Sequence, residues 1–211
     1  MSEPGAHEFT ITDSRTEYTG TVIALRVDEV SMPDGATGTR EVVEHHGAVA
    51  ILAIDDTDQV VLIHQYRHPL GRRLWELPAG LLDVAEEEPA GAAARELAEE
   101  VGLAATRWSV LVDVAASPGF TDECVRVYLA QELSDVERPA GEHEEADLVV
   151  HRVALSDAVA RVLSGEIVNA STVAGLLALT ALRARDGRAR DTDAPWRDRP
   201  SAFSERKADT G

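Results

Sequence analysis

Glu96, Glu99 and Glu100 stand at offsets i, i+3 and i+4 of a run with helical character. Residues so spaced share one face of an α-helix, which brings three carboxylates within a few ångströms of one another. The run ends at Gly102, so the acids crowd the negative end of the helix dipole, where anions are disfavoured. A bound divalent cation reverses both penalties, and an arrangement that breaks local rules in this way points to a functional site. Hard oxygen donors suit Mg²⁺, with Mn²⁺ an alternative. Cys124 is the only cysteine, so there is no internal disulfide and no thiolate cluster, and a metal here is held by oxygen or histidine.

The helix that carries these acids has both ends marked. Pro89 suits the first helical position, and Gly102 suits a left-handed residue just past the last turn. Ala94, Leu97, Ala98 and Val101 recur at helical spacing and predict an apolar stripe packed on a sheet, with the three glutamates on the opposite side. Upstream the chain reads Gly80-Leu81-Leu82-Asp83-Val84-Ala85-Glu86-Glu87, followed by Arg95-Glu96-Leu97-Ala98-Glu99-Glu100-Val101-Gly102-Leu103.

These residues resemble the signature of the Nudix hydrolases, whose second half, Arg-Glu-apolar-any-Glu-Glu-any-Gly-apolar, is matched at every defined position. Gly80 lies one residue further from Arg95 than the usual pattern has it, which leaves Glu86 and Glu87 as alternatives for the upstream family glutamate. The resemblance implies a fold of the α/β (α+β) class, an α/β/α sandwich with a mixed sheet. It also implies metal binding by Glu96 and Glu100, with Glu99 assisting and the backbone carbonyl of Ala79 as a further ligand.

Outside the signature, Ser117-Pro118-Gly119-Phe120-Thr121-Asp122-Glu123 places a proline sixteen positions after Gly102. That loop resembles the ADP-ribose pyrophosphatase subgroup, as do Gln65-Tyr66-Arg67, Trp75-Glu76-Leu77-Pro78-Ala79-Gly80 and the acidic stretch Gly141-Glu142-His143-Glu144-Glu145. The subgroup implies substrate contacts at Arg67, Arg40, Glu76, Pro118, Gly119, Phe120 and Glu123. Arg67 offers a forked cation that fits phosphate oxygens. A carboxylate of the acidic stretch would take the proton from the attacking water; Glu145 leads, with Glu144 and then Glu142 behind it. The implied reaction is Mg²⁺-dependent cleavage of ADP-ribose to AMP and ribose 5-phosphate. Another nucleoside diphosphate sugar, a dinucleotide, or a non-catalytic ligand sensor are the alternatives.

The elements that must position these groups follow from periodicity. Residues 18–27 and 40–46 read as strands around the turn-rich Met32-Pro33-Asp34-Gly35, forming a small N-terminal antiparallel β unit. Residues 48–54 and 60–66 flank Asp55-Asp56-Thr57-Asp58 and read as a central hairpin. Strands are expected at 75–77, 108–114, 125–131 and 148–153, and helices at 89–101, 156–163 and 170–185, the last with Asn169 as its N-cap. Three regions result: 1–47, the β unit; 48–182, the catalytic domain; and 183–211, an Arg-, Asp- and Pro-rich tail expected to be disordered.

A net charge of −18 argues against nucleic acid as a main partner, because that binding depends on Lys and Arg displacing counterions. No apolar run approaches the roughly 20 residues that span a bilayer, and the start carries no signal pattern, so no membrane partner and a cytoplasmic location are expected. The subgroup resemblance implies a homodimer in which the β unit crosses to the partner and brings Arg40 near the partner's site. His45 and His46 receive no role, as surface or core-rim histidines are the commoner case.

Overall fold

The computed structural model describes residues 6–138 and 147–210 and divides into two compact units. Residues 48–114 and 125–197 form the larger one. Its four-stranded sheet has the order β7-β4-β9-β8, with β4 (Ala48–Ala53) antiparallel to β7 (Ala79–Leu81) and parallel to β9 (Cys124–Asp135), and β8 (Leu103–Ala115) beyond. A second, antiparallel sheet has β5 (Gln59–Arg67) between β10 (Val149–Ala154) and β6 (Arg72–Glu76).

All six residues of β4 are buried, and its alternate side chains enter two separate cores. Ala48, Ala50 and Leu52 pack with Ala158 of α2 (Leu155–Leu163) and with Leu176 and Leu179 of α3 (Ala170–Arg183). Val49, Ile51 and Ala53 pack with Ala92, Ala93 and Leu97 of α1 (Pro89–Val101). Helices therefore cover both faces of the sheet, the α/β/α sandwich that the sequence implies. A strand covered on both sides reads as a continuous apolar run rather than an alternating one. Each fully buried Leu or Ile contributes about 1.5–3 kcal/mol to holding the layers together.

Two expectations change here. The turn after β4 forms, with the Asp55 carboxylate accepting from the N–H groups of Thr57 and Gln59. Yet β4 and β5 are not a hairpin: one bridge, Ile54 to Val60, joins them before each enters a different sheet. Local turn chemistry fixes the reversal but not the edge each strand then finds. The helical ends hold as expected, with Pro89 first and Gly102 at φ 68°, its N–H bonded to the carbonyls of Ala98 and Leu97. The buried face of α1, however, is Pro89, Ala92, Ala93, Glu96, Leu97 and Glu100, while Ala94 is exposed. Two of the three acids thus lie on the sheet-facing side and not opposite it.

The other unit comprises residues 1–47, 115–124 and 198–211. It contains the small antiparallel sheet, in the order β1 (Ile11–Thr19), β2 (Ile23–Ser31), β3 (Thr37–His45). The strand expected at 18–27 is broken at residues 20–22, where the Gly20 N–H bonds the Ile23 carbonyl at 2.8 Å. Every residue of β1 is exposed, so it carries no apolar period by which to be recognised.

Residues 183–208 are not the unstructured tail that composition suggests. In the larger unit, Arg190 bridges Val110, and the buried Arg126 guanidinium donates to the carbonyls of Ala194 and Pro195 beneath the Trp196 ring. In the smaller unit, α4 (Ala202–Thr210) buries Phe203 completely, with its ring 4.5 Å from that of His46, and Arg206 donates twice to the buried Glu44 carboxylate. These anchors are single residues meeting partners distant in sequence, which no local periodicity reveals. Among the described residues no helix is long and apolar enough to cross a membrane.

Candidate functional site

The Gly80 backbone of strand β7 and the C-terminal half of α1 meet face to face. A β-carbon added at Gly80 would fall on the carboxyl group of Glu96, so glycine is required there for close approach. One residue earlier, the Ala79 N–H donates to Glu100 Oε2 at 2.9 Å. Glu96 and Glu100 are 9% and 5% exposed, whereas the Glu99 side chain is 39% exposed. Burying two carboxylates at the negative end of a helix is costly unless charge compensates them.

Arg95 supplies part of that compensation. Its guanidinium forks onto Glu87 at 3.1 and 3.0 Å and also donates to Glu96 at 2.6 Å and Glu99 at 3.0 Å. The bond from Arg95 holds the Glu87 carboxyl below its ordinary pKa, and Glu87 in turn heads the causes that raise Arg95. Of the two upstream candidates, Glu87 is therefore the one that touches the signature arginine. Glu86 sits in the turn before it at φ 61°.

Among the described residues no group of three or more Asp, Glu, His or Cys side chains is already arranged to hold a metal ion. What the structure offers is an open, oxygen-only set: Glu96 and Glu100 pinned against β7, Glu99 beside them, and the backbone at Ala79. That donor chemistry, net negative and hard, fits a divalent cation that keeps part of its water, such as Mg²⁺ or Mn²⁺.

In the same unit, Arg67 and Glu76 are brought together. The guanidinium donates Nε to both carboxylate oxygens at 2.9 and 3.2 Å, and Nη2 to Oε2 at 2.6 Å. The Glu76 side chain is 2% exposed against 40% for Arg67. A buried acid thus orients a forked cation that stays partly open, an arrangement suited to phosphate oxygens.

The remaining expected contacts lie in the other unit. Arg40 is exposed on β3, where it donates to the Thr39 carbonyl. The loop holding Pro118, Gly119, Phe120 and Glu123 is stitched to β3. Val43 N–H donates to the Phe120 carbonyl at 2.7 Å, Thr121 Oγ1 to the Val43 carbonyl at 2.8 Å, and His45 N–H to the Asp122 carboxylate at 2.9 Å. Phe120 is exposed, and nothing lies within 4 Å of a β-carbon at Gly119. Pro118, Asp122 and Glu123 line a cavity of about 470 Å³ together with Arg26, Cys124 and Arg199. Burial and then the nearby Glu44 push the Asp122 carboxyl above its ordinary pKa.

Glu142, Glu144 and Glu145 lie outside the described residues. The sequence gives no role to Arg138, whose Nε donates to the Glu99 carbonyl at 3.1 Å, or to Asp122, which accepts from the His45 N–H; Arg138 stands in no motif, and Asp122 stands in the 117–123 loop without an implied contact.

The NUDIX domain model matches residues 44–170. The chain is similar to the ADP-ribose pyrophosphatase of Mycobacterium tuberculosis, with 54% identity over 96% of this chain and 98% of that protein. It is also similar to the ADP-ribose pyrophosphatase of Bacillus subtilis, with 42% identity over 74% of this chain and 83% of that protein. A crystal structure of an ADP compounds hydrolase superposes with a TM-score of 0.74, covering 87% of this chain and 98% of that one, at 22% identity; this likeness bears on the fold.

Proposed function

The chain belongs to the NUDIX family, and we propose that it hydrolyses the diphosphate linkage of ADP-ribose, giving AMP and ribose 5-phosphate. The observation that carries this is the pair of buried carboxylates, Glu96 and Glu100, locked against the backbone of residues 79–80 at the end of α1. The names of two relatives that align over most of their length support ADP-ribose as the substrate.

Glu96 and Glu100, assisted by Glu99 and the Ala79 carbonyl, would hold Mg²⁺, with Mn²⁺ as a substitute. A divalent cation held there would supply charge neutralisation for the diphosphate and a lowered pKa for water. Arg95 keeps Glu96 and Glu99 in fixed rotamers, so the carboxylates need little reorganisation when a cation arrives. Arg67, oriented by Glu76, clamps phosphate oxygens and fixes the phosphorus for attack. A water oxygen bonds to phosphorus, the phosphorus–oxygen bond of the anhydride breaks, and the proton of the water passes to a carboxylate of the acidic stretch. Glu145 is the first assignment for that base, with Glu144 and Glu142 next. Pro118, Gly119, Phe120 and Glu123 contact the nucleotide sugar. Arg40 reaches the site of a second copy in a cytoplasmic homodimer.

Turnover of ADP-ribose, other nucleoside diphosphate sugars, dinucleotides and nucleoside triphosphates, each with and without Mg²⁺, tests the assignment. The expected result is metal-dependent release of AMP, fastest from ADP-ribose. Equal rates across the panel would remove the substrate assignment, and tight binding without turnover would make the protein a sensor. Solution mass tests the dimer: a monomer at assay concentration would rule out a shared site.

A further inference from the structure

Leu77 and Pro78 join the two sheets of the larger unit, for β6 ends at Glu76 and β7 begins at Ala79. The phosphate clamp stands at one end of this link, where Glu76 holds Arg67. At the other end Ala79 donates to Glu100, and Gly80 lies against Glu96. A link this short sets the register between clamp and carboxylates, so whatever fixes its backbone fixes that register. The Pro78 carbonyl accepts from the Ile51 N–H at 2.8 Å, and Pro78 has no N–H of its own. The Leu77 N–H donates at 2.9 Å to a side chain 95 positions along the chain, Thr172 Oγ1 in the first turn of α3.

We infer that Thr172 is a positioning residue for the hydrolysis, fixing the Leu77–Pro78 link so that Arg67 and the α1 carboxylates act on one diphosphate in register. This rests on the reading of Glu96, Glu100 and Ala79 as the metal site. Thr172 is fully buried. A hydroxyl has one proton to give. Thr172 gives it to Asn169 Oδ1 at 2.9 Å, which leaves the oxygen to accept from Leu77. The same Asn169 oxygen accepts from the Thr172 N–H at 3.0 Å, the N-cap bond of α3. The cap is thus made through the Thr172 backbone, and what the hydroxyl adds is the hold on Leu77. Leu77 is confined through its side chain as well. A β-carbon at Gly175 would stand 3.1 Å from Leu77 Cδ1, so α3 lies on the link about as closely as glycine permits.

Thr172→Val and Thr172→Ser in the full chain test this. Valine keeps the branched shape and loses the acceptor; serine keeps the acceptor and loses the methyl group. In the metal-free protein, hydrogen exchange should show the Leu77 and Ala79 amides losing protection with valine and keeping it with serine. Calorimetric Mn²⁺ affinity without substrate should fall roughly tenfold or more with valine, the scale of a lost partner behind a metal ligand. With ADP-ribose at saturating Mg²⁺, valine should lower kcat roughly 10- to 100-fold and move KM by less than about threefold, because no substrate-binding group is removed. Serine should recover most of each loss. Leu179→Ala, which hollows the same core about two turns along α3, should lower the thermal midpoint yet leave Mn²⁺ affinity and kcat unchanged. Should the valine variant not fold, Thr172→Cys, with its weak sulfur acceptor, takes its place. Parent-like Mn²⁺ affinity and kcat with valine, equal losses with valine and serine, or an equal loss in Leu179→Ala would overturn the role. If the parent binds Mn²⁺ without turning over ADP-ribose, the substrate reading falls, while amide exchange and Mn²⁺ affinity still decide the role of Thr172. A parent that binds no Mn²⁺ removes both.

Discussion

The Glu96 carboxyl group occupies the space that the β-carbon of any residue other than glycine at position 80 would need. The obstructing atoms belong to the end of a flexible side chain, so Gly80→Ala should displace Glu96 at little cost to folding. We expect a thermal midpoint within a few degrees of the parent and a requirement for Mg²⁺ raised by roughly tenfold or more, the scale of a disturbed metal ligand. Mg²⁺ titration of the rate beside thermal unfolding checks it. A fall in stability with unchanged Mg²⁺ dependence would show that Gly80 serves packing alone.

Arg67→Lys keeps the charge and loses the fork onto Glu76. Leaving a buried carboxylate partly unpaired costs about 1–3 kcal/mol, and the phosphate clamp becomes a single point contact. KM for ADP-ribose should therefore rise more than kcat falls. Kinetics with denaturant unfolding separate the two effects, and an unchanged KM would remove Arg67 from substrate binding.

Glu44 is 1% exposed as a side chain and is held by Arg206 and Arg26. Its bond with Arg206 is the leading cause that lowers its pKa below the ordinary carboxylate value. A depressed folded-state pKa contributes stability that is fully present above the unfolded value and is lost as pH falls through the folded one. Acid should therefore loosen the unit that holds β1–β3. Arg206→Ala should move that transition to higher pH, as followed by hydrogen exchange of β2 and β3; an unmoved transition would show the pair to be unimportant.

Phe203 is fully buried, although it lies in a segment of tail-like composition. Phe203→Ala should cost about 3–5 kcal/mol locally, as for other buried phenylalanines. Limited proteolysis should then cut within residues 198–208 of the variant and spare the parent. Equal cleavage of both would contradict the docked helix α4.

The chemistry of α1 was legible because its marks are local: Pro89, Gly102 and three glutamates within five positions. Which way those glutamates face was not. A period count treats Glu96 and Glu100 as polar and so rotates the apolar stripe toward Ala94, whereas the fold buries both acids beside Ala93 and Leu97. The two cores around β4 were foreshadowed by its unbroken apolar run, yet its separation from β5 depends on pairings far along the chain. The tail stayed hidden for the same reason, since Arg126 and Glu44 hold it from 68 and 162 residues away.

The central claim is that the α1 carboxylates hold the cation for diphosphate cleavage, and Glu100→Gln tests it most directly. Glutamine keeps an oxygen that can accept from the Ala79 N–H, so the fold should survive while a ligand charge is lost. Losing several kcal/mol of metal-assisted stabilisation lowers turnover by roughly a hundredfold or more. The measurement is ADP-ribose hydrolysis against Mg²⁺ concentration, with circular dichroism to confirm folding. A folded variant with turnover near background at every Mg²⁺ concentration is the result expected; near-normal turnover at saturating Mg²⁺ would contradict the account.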